Sequence, residues 1–376
     1  MKIAVFFDLP DGGARYAMYK ILERLSKNNV VDIYTYNNSK TFTNFDKVSH
    51  KLYVYELLSF AKLNRHIARI VEDLYAIFGV SFVEHRIAKL INISNYDLVI
   101  VNHTRHFQAP YILKYLRGKV MFLCHEPTRA FFENSLSPDK ELSLYNLTYE
   151  KVIRYFKKHI EISNARYAKI VLANSTFSQK QIFKAYGITS HKLSMGVDTI
   201  EFFPEKISKN NEVLVVGNDE PQKNLKLAVE TIAKLPKLNR PVLHIVKPRC
   251  GQLTKMSQCA QKLQVKVKIS SQVDLPTLRR FYNQAVCTLA VARREPFGLS
   301  VIESMACGTP VVAIREGGYL ETLRHGVSGY LAKRDPIELA AYIRQALKID
   351  SQDCINHVKN HFSWDSAAKE ILKLSA

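Results

Sequence analysis

The sequence predicts an α/β protein with two doubly wound domains, and both chain length and residue pattern support this prediction. A chain of 376 residues is too long for one ordinary hydrophobic core and suits two domains. Short apolar runs alternate with longer segments of helical periodicity, which predicts parallel sheets covered by helices on both faces. The alternation breaks near 203–211, in the stretch FFPEKISKNN. We therefore place the domains at about residues 1–205 and 211–360.

Each predicted domain contains a series of buried strands. The candidates are Ile3–Phe7, Val30–Tyr36, Leu98–Val101, Val120–Cys124 and Ile170–Ala173 in the first domain, and Val213–Val216, Leu243–Val246, Val265–Ile269, Cys287–Val291 and Pro310–Ile314 in the second. The tail at 362–376 has the pattern of one more amphipathic helix, which Ser363 or Asp365 could cap.

Composition narrows the class of protein. The chain has 47% apolar and 23% charged residues, the usual balance of a soluble globular protein. No apolar run approaches the ~20 residues of a membrane-spanning helix. A brief first apolar run followed by Asp8 and Asp11 suits a buried strand better than a signal peptide. The cysteines form no CxxC pair, which indicates reduced, mostly buried thiols and a cytoplasmic setting. They are Cys124, Cys250, Cys259, Cys287, Cys307 and Cys354.

The formal net charge of +20 fits three kinds of partner: nucleic acid, an anionic membrane surface or a phosphorylated substrate. Nucleic acid is disfavoured, because basic residues occur in both halves without a recognisable module of clustered Lys, Arg and aromatic side chains. Two segments, 61–74 and 151–169, combine basic residues with helical periodicity. Either their apolar stripes face the core, or the segments contact a membrane surface. The stripe in 61–74 contains Leu63, Ile67, Ile70 and Leu74.

The most informative stretch runs from Arg294 to Tyr330. The loop Glu295–Gly298 follows a buried strand and leads into a helix at Leu299–Ala306. Backbone N–H groups and the helix dipole at such a helix start favour a phosphate group. In open α/β sheets, ligands bind beyond the carboxyl ends of the strands, which is where this loop lies. The stretch therefore predicts an anion site.

Two acidic residues bracket this loop. Glu295 begins it, and Glu303 lies within the mostly apolar helix. A carboxylate accepts two hydrogen bonds, which suits the vicinal diol of a sugar or a ribose. Each residue could instead be an exposed surface charge. Because a buried Glu in an apolar helix needs a partner, the pattern favours ligand binding by Glu303.

The segment EPFGLSVIES resembles the E-x7-E signature of retaining GT-B glycosyltransferases, the large family 4 group. The similarity continues through SMACGTPVV and GGYLETLRHGVSGYL and covers most of the chain. It implies the GT-B fold, with two Rossmann-like domains facing across a cleft and a C-terminal helix, 362–376, that crosses back onto the first domain. Other segments that resemble the family are Ala173–Ser175, Tyr186–Gly187, Met195–Asp198 and Leu214–Gly217 with Lys223–Asn224.

The resemblance implies that the second domain binds the donor. Glu303 would hold the donor ribose, and Lys223 would neutralise the diphosphate. Glu295 and backbone N–H groups after it would hold hydroxyls of the transferred sugar. The donor-binding residues implied in this domain are Gly217, Asn218, Lys223, Glu295, Phe297, Gly298, Leu299 and Glu303.

In the first domain, the resemblance implies that the backbone at Gly12 and Gly13 approaches the donor phosphate, although a tight turn explains this pair equally well. His125, in the sequence CHEP after a strand, matches the family's histidine that faces the transferred sugar; the alternative is a structural histidine. An internal salt bridge between Glu126 and Arg129 is as good an explanation as contact with an acceptor. The acceptor-side candidates are His103, Glu126 and Arg129.

The resemblance therefore implies a hexosyltransferase-type glycosyltransferase (EC 2.4) that moves a sugar from a UDP- or GDP-linked donor to an acceptor hydroxyl with retention. The acceptor would be a glycan or a lipid-linked molecule. Independently of the resemblance, the high positive charge and the basic segments at 61–74 and 151–169 predict peripheral contact with an anionic membrane from the cytoplasm. The catalytic candidates are Glu295, Lys223 and His125. No cofactor or metal is expected, since Lys223 and the helix N-terminus supply positive charge.

One departure from the family pattern lies directly after Gly217. The family usually has Arg at this position, and this chain has Asn218. The change removes one cation from the diphosphate site. It keeps a second interpretation open, in which the chain is a catalytically silent GT-B subunit that binds nucleotides or regulates a partner.

Overall fold

The protein is described by a computed structural model that covers residues 1–36, 43–133, 144–218, 220–247 and 254–376. The described residues form two compact units. The first unit comprises Met1–Leu193 and Ala368–Ala376, and the second comprises Ser194–Ala367. Each unit is built around one parallel sheet.

The first unit contains seven strands. They are β1 (Lys2–Phe7), β2 (Val30–Thr35), β3 (Lys51–Val54), β4 (Leu98–Val101), β5 (Val120–Cys124), β6 (Ile170–Ala173) and β7 (His191–Lys192). The strand order is β3-β2-β1-β4-β5-β6-β7, and every pairing is parallel. The central strands β1, β4 and β5 are apolar and almost wholly buried. Such continuous apolar strands are typical of a parallel sheet with both faces covered.

Seven helices accompany this sheet. They are α1 (Gly13–Leu25), α2 (Arg65–Leu74), α3 (Val80–Ile93), α4 (Ile112–Tyr115), α5 (Arg129–Phe132), α6 (Leu144–Ala165) and α7 (Thr176–Tyr186). A π-helical turn, Tyr75–Gly79, joins α2 to α3. Local signals set some of the ends. Ser175 caps α7 by accepting a hydrogen bond from the N–H of Ser178, and Gly187 ends that helix in the left-handed conformation.

The second unit has six parallel strands. They are β8 (Glu212–Val216), β9 (Val242–Lys247), β10 (Val267–Ser271), β11 (Cys287–Ala290), β12 (Val311–Ile314) and β13 (Gly329–Ala332), in the order β10-β9-β8-β11-β12-β13. The helices of this unit are α8 (Leu225–Ala233), α9 (Thr254–Lys262), α10 (Leu275–Gln284), α11 (Leu299–Ala306), α12 (Tyr319–Thr322), α13 (Pro336–Ala346) and α14 (Ser351–His361). A last helix, α15 (Trp364–Ser375), begins in the second unit and continues into the Ala368–Ala376 segment of the first. The α/β fold with two parallel-sheet units is therefore confirmed.

All ten predicted strands are present, with small differences at their ends. Three strands were not predicted, because their sequences lack the pattern of a buried strand. Most of β3 is exposed at the sheet edge, β7 has two residues, and β13 begins with a glycine.

The division between the units lies earlier in the chain than the residues 205–211 suggested by the sequence. Polar contacts explain why the preceding segment belongs to the second unit. The side chain of Asn283 accepts a hydrogen bond from the N–H of Glu205 at 2.7 Å and donates one to the carbonyl of Phe203 at 3.0 Å. Arg279 forms an ion pair with Glu205 at 2.5 Å.

The apolar stripe at 61–74 does not face the core. Helix α2 buries none of its residues, and all four predicted core side chains of the stripe are exposed. Charged side chains contact the rest of the unit instead: Arg69 pairs with Glu150, and Asp73 with Lys157. The core interpretation of this stripe is therefore wrong. The second basic segment lies in α6, which ends at Ala165 rather than at 169.

The cysteines largely follow the sequence prediction. Four of them are buried free thiols, and burial raises the pKa of each. Cys259 is half-buried, and Cys250 lies outside the described residues. The four buried thiols belong to Cys124, Cys287, Cys307 and Cys354. Within the described ranges, no helix has the length and apolar character needed to cross a bilayer.

The tail forms α15 as predicted, and Ser363 rather than Asp365 caps it by accepting from the N–H of Ser366 at 3.4 Å. Gly196 lies directly against the start of this helix. A Cβ atom at Gly196 would be 2.3 Å from the backbone nitrogen of Trp364, whose side chain is fully buried. Only glycine fits this contact.

We expect Gly196→Ala to destabilise the protein by about 1–3 kcal/mol, the usual range for overpacking. The matched control is Gly217→Ala, because a Cβ there would meet the Lys223 side chain at an ordinary 3.6 Å. Urea denaturation followed by circular dichroism gives the comparison. Equal urea midpoints for the two variants would contradict the close contact at Gly196.

Candidate functional site

The order of strands places one site in the second unit. Chain order runs outward from β8 through β9 to β10 on one side, and from β11 through β12 to β13 on the other. The loops after β8 and β11 therefore flank the point where the winding reverses. In doubly wound sheets, this point at the carboxyl ends of the strands is where ligands bind. Both loops contain residues that the sequence predicts to bind the donor.

An ion pair joins these two loops. Lys223, after β8, places its Nζ atom 2.8 Å from Oε2 of Glu295, after β11. Both side chains remain partly accessible. A backbone hydrogen bond of 2.7 Å from the N–H of Arg293 to the carbonyl of Gln222 also connects the loops. Two residues that the sequence assigns to different parts of the donor thus contact each other directly.

The start of α11 has an uncapped helix geometry, which is compatible with the anion site expected from the sequence. Gly298 has φ 95° and ψ 61°, a left-handed conformation that favours glycine, and no side chain caps the helix. Its first N–H groups lack intrahelical acceptors by geometry. The first of these N–H groups belongs to Leu299, two residues after the buried Phe297. The N–H groups at this helix start can therefore donate hydrogen bonds to a phosphate or to a sugar hydroxyl oxygen.

A second pair of glycines supports this loop. The N–H of Gly318 donates to the carbonyl of Glu295 at 2.7 Å. A Cβ atom at Gly318 would be 2.4 Å from the carbonyl oxygen of Pro296, and one at Gly317 would be 2.5 Å from that of Glu295. The sequence analysis gave this Gly-Gly pair no role, although two adjacent glycines after a buried strand are a signal of close backbone approach.

Glu303 lies on α11 and is largely desolvated. Burial raises the pKa of its carboxyl to about 7, and the hydroxyl of Tyr282 donates to Oε2 at 2.8 Å. Among the described residues, no donor reaches Oε1. A carboxylate with one oxygen held and one available can accept from a hydroxyl of a ligand. Tyr282 was missed, because nothing in the sequence of α10 indicates that it contacts α11.

The loop after β8 begins with Gly217 and Asn218. The N–H of Gly217 donates to the carbonyl of Val246 at 3.0 Å, which continues the pairing of the strands. The side-chain oxygen Oδ1 of Asn218 is buried and has no hydrogen-bond partner among the described residues. At position 218, where the family usually has an arginine, this chain therefore has an amide oxygen that needs a hydrogen-bond donor.

In the first unit, chain order reverses between β1 and β4. Gly12 follows β1 with φ 153°, and Gly13 begins α1. In the described part of the chain, no atom comes within 4 Å of a Cβ built at Gly12. The backbone conformation at position 12 therefore favours glycine, and the space beside Gly12 is open to a ligand. The loop after β4 joins this region, because the N–H of Asp8 donates to the carbonyl of His103 at 3.1 Å.

His125 lies after β5 between two asparagines. Nε2 is 3.2 Å from Nδ2 of Asn102, and Nδ1 is 3.4 Å from Nδ2 of Asn174. Burial lowers the pKa of His125 to about 4, so the ring is neutral at physiological pH. Neighbouring amides fix the orientation of the imidazole, which is compatible with both the structural and the sugar-facing interpretations.

The acceptor-side candidates divide into two groups. His103 stands edge-on to His125, with ring centroids 6.1 Å apart, and burial followed by the charge of His125 lowers its pKa to about 3. Arg129 forms an ion pair with Glu126 at 2.6 Å and approaches Glu133 at 3.9 Å. The internal salt bridge considered from the sequence is therefore present.

Buried Glu161, on α6, was also missed by the sequence analysis. It accepts from the backbone N–H groups of Gln108 and Thr128, from the hydroxyl of Thr128 and from that of Tyr186. It thereby fixes the loop that follows His125. Burial raises its pKa.

Part of the chain is similar in sequence to known glycosyl transferases. Residues 197–371 match the family model for group 1 glycosyl transferases. The probable sucrose-phosphate synthase of Thermosipho melanesiensis is 30% identical over 195 residues, which cover 48% of this chain and 45% of that protein. The chain spans about half the length of the first curated relatives it matches.

Solved structures show the fold over the whole chain. The sucrose-phosphate synthase of Thermosynechococcus elongatus has a TM-score of 0.72 at 17% identity and covers 99% of this chain and 98% of its own. Anabaena Alr3699/HepE, solved in complex with UDP-glucose, has a TM-score of 0.71 at 17% identity and covers 100% and 99%. The two Rossmann-like units are thus of the GT-B class. Residues 197–371, less than half of the chain, are similar to the group 1 glycosyl transferases.

We expect Tyr282→Phe to raise the pKa of Glu303 above its value of about 7, because the phenol stabilises the carboxylate by donating to Oε2. Carbon-13 NMR of a protein labelled at the Glu carboxyl groups measures this pKa. Glu303→Gln identifies the signal by removing it. A Glu303 that titrates in the ordinary glutamate range, or is unaffected by Tyr282→Phe, would contradict the contact.

Proposed function

We propose that the chain is a retaining glycosyltransferase that transfers a sugar from a nucleoside diphosphate sugar, UDP- or GDP-linked, to an acceptor hydroxyl. The supporting observation is the grouping of three features at one switch point of the second unit. These are the Lys223–Glu295 ion pair, the uncapped start of α11 and the desolvated carboxyl of Glu303. The cation and the N–H groups suit the phosphates of a ligand. The two carboxylates suit its diols, one on a sugar and one on a ribose.

Each part of the donor has a complementary group. Glu303 would accept from the ribose hydroxyls through Oε1, while Tyr282 holds Oε2. The N–H groups at the start of α11 would bind phosphate and sugar oxygens. A buried amide oxygen, Oδ1 of Asn218, needs a donor that a ligand N–H or O–H can supply. The related Anabaena protein was solved with UDP-glucose, which is a ligand of this kind.

The ion pair has a role in the proposed cycle. Without a donor, Lys223 and Glu295 neutralise each other at 2.8 Å. When a donor binds, Lys223 would turn to the diphosphate and Glu295 would accept from hydroxyls of the transferred sugar. The pair thus keeps two partly desolvated charges compensated until the ligand provides a partner for each.

The chemistry then depends on positioning and electrostatics. The bond between the sugar C1 and the diphosphate oxygen breaks while the acceptor oxygen bonds to C1 on the same face. The acceptor proton passes to the departing phosphate oxygen. Lys223 stabilises the negative charge that develops there more than it stabilises the bound donor, so it lowers the barrier. Neither a metal nor a cofactor is part of this proposal, because the chain's own groups supply the positive charge.

The first unit contains its own candidate substrate contacts. The neutral His125, oriented by Asn102 and Asn174, can exchange a hydrogen bond with a sugar hydroxyl without adding charge. The backbone at Gly12 and Gly13 would approach the donor phosphate. The acceptor is a glycan or a lipid-linked molecule, with His103, Glu126 and Arg129 as candidate contacts. Buried free thiols support a cytoplasmic setting.

A screen of UDP-, GDP- and ADP-sugars for hydrolysis and transfer tests the function, and Glu303→Gln locates the site. Losing hydrogen bonds from a diol to a carboxylate should weaken donor binding by about 1.5–3 kcal/mol. Glu230→Gln, on α8, is the control and should bind the donor normally. Nucleotide binding without any turnover would instead support the silent subunit, and unchanged affinity in Glu303→Gln would rule out the ribose assignment.

Lys223→Ala should lower kcat by about 2.7–4 kcal/mol of barrier, the scale for one electrostatic group acting on the transition state. Lys226→Ala is the matched control, because Lys226 lies in the same region and is solvated. Asn218→Arg should remain active, since it restores the family's cation. Steady-state kinetics compare the three variants. Near wild-type turnover in Lys223→Ala would show that the diphosphate binds elsewhere.

A further inference from the structure

The segment from α2 to the start of α3 has an exposed apolar face. Leu63 lies just before α2, and Ile67, Ile70 and Leu74 lie on one side of the helix; the four are 44%, 55%, 36% and 46% exposed. Farther along, Phe78 and Phe82 are 65% and 73% exposed. Soluble proteins rarely expose so many large apolar side chains in one short segment, and a patch of this kind marks an interaction site. We call these six residues the α2 face.

Polar contacts on another side of α2 fix this orientation. Arg69 pairs with Glu150 of α6. Asp73 pairs with Lys157 at 2.5 Å and accepts from the hydroxyl of Tyr149 at 2.7 Å. The helix therefore cannot turn its apolar side inward without breaking two ion pairs. The exposure of its apolar side follows from how the helix is attached.

Positive charge is concentrated at the start of the α2 face, whereas the acidic residues of α2, Glu72 and Asp73, lie at its end. Lys62, Arg65 and His66 lie at the start of α2 and are exposed. Residues 151–193 of the same unit add nine Lys or Arg residues and one acidic residue, the buried Glu161. The whole chain has a net charge of +20. An apolar face flanked by cations is complementary to a surface that is apolar inside and anionic outside, which describes an anionic bilayer.

We propose that the α2 face inserts into the interface of an anionic lipid bilayer. Helix α2 has ten residues. At about 1.5 Å per residue it is too short for the ~30 Å of a bilayer core, so it would lie in the plane of the interface. The apolar side chains enter the acyl boundary, and the flanking cations meet the headgroups. Membrane binding is independent of the proposed sugar transfer. The consequence that the acceptor is a lipid-linked molecule rests on that proposed function.

Co-flotation of the full chain with vesicles tests this inference. We expect the protein to float with vesicles of phosphatidylcholine mixed with phosphatidylglycerol, to float much less with phosphatidylcholine alone, and to be released by salt. Ile67→Ser combined with Ile70→Ser should lower the partition coefficient roughly tenfold or more. Lys62→Gln and Arg65→Gln should each lower it about fivefold.

The matched control is Leu238→Ser combined with Ile337→Ser, which removes two apolar side chains of the second unit that are 93% and 64% exposed. It should float like the wild type. Thermal unfolding checks that all variants fold, and donor binding without vesicles should be unchanged in each.

Three results would overturn the proposal. They are absence of the wild type from both kinds of vesicle, equal flotation of wild type and the Ile67/Ile70 variant, and a wild-type dimer that this variant converts to a monomer. The last result would show that a second copy of the chain covers the α2 face. Failure of flotation with intact donor binding counts against the membrane alone, and loss of donor binding with intact flotation counts against sugar transfer alone.

Discussion

The ion pair between Lys223 and Glu295 depends on a constraint that governs the whole second unit. All strands of its sheet run in the same direction, so the loops after β8 and β11 leave the same edge and lie side by side at the reversal of winding. The two residues are distant in sequence, and the sheet brings them to 2.8 Å. The glycines at 317 and 318, the start of α11 and Glu303 are arranged around the same edge. A register shift of β8 against β11 would move Lys223 away from Glu295.

Local patterns predicted much of this site. The helix at Leu299–Ala306 and the loop before it were located from a strand, a proline and two glycines, all within one short stretch. The contact of Lys223 with Glu295 was not predicted, because it depends on which strands are neighbours. The hydrogen bond from Tyr282 to Glu303 was missed for a similar reason, since two helices must pack before the side chains meet.

The periodicity of α2 shows the limit of such patterns in another way. Four apolar residues at helical spacing establish that one face of a helix is apolar, and they do not establish what covers it. The orientation of α2 is set by the ion pairs of Arg69 and Asp73 with Glu150 and Lys157, which lie on α6. The same holds for the border between the units. The sequence predicted a polar linker at this border, but it did not predict the hydrogen bond between Glu205 and Asn283.

The path of the chain between the units affects its biosynthesis. The chain leaves the first unit after Leu193 and rejoins it at Ala368, so the first unit is discontinuous and the second is continuous. Lys119 donates to the carbonyl of Ser375 at 2.7 Å, a contact that forms only after all of the second unit has left the ribosome. Since domains tend to fold as they emerge, the unit that is translated first is the one completed last. During that interval, all seven strands of the first unit have been made, but the C-terminal segment Ala368–Ala376 that belongs to the same unit has not.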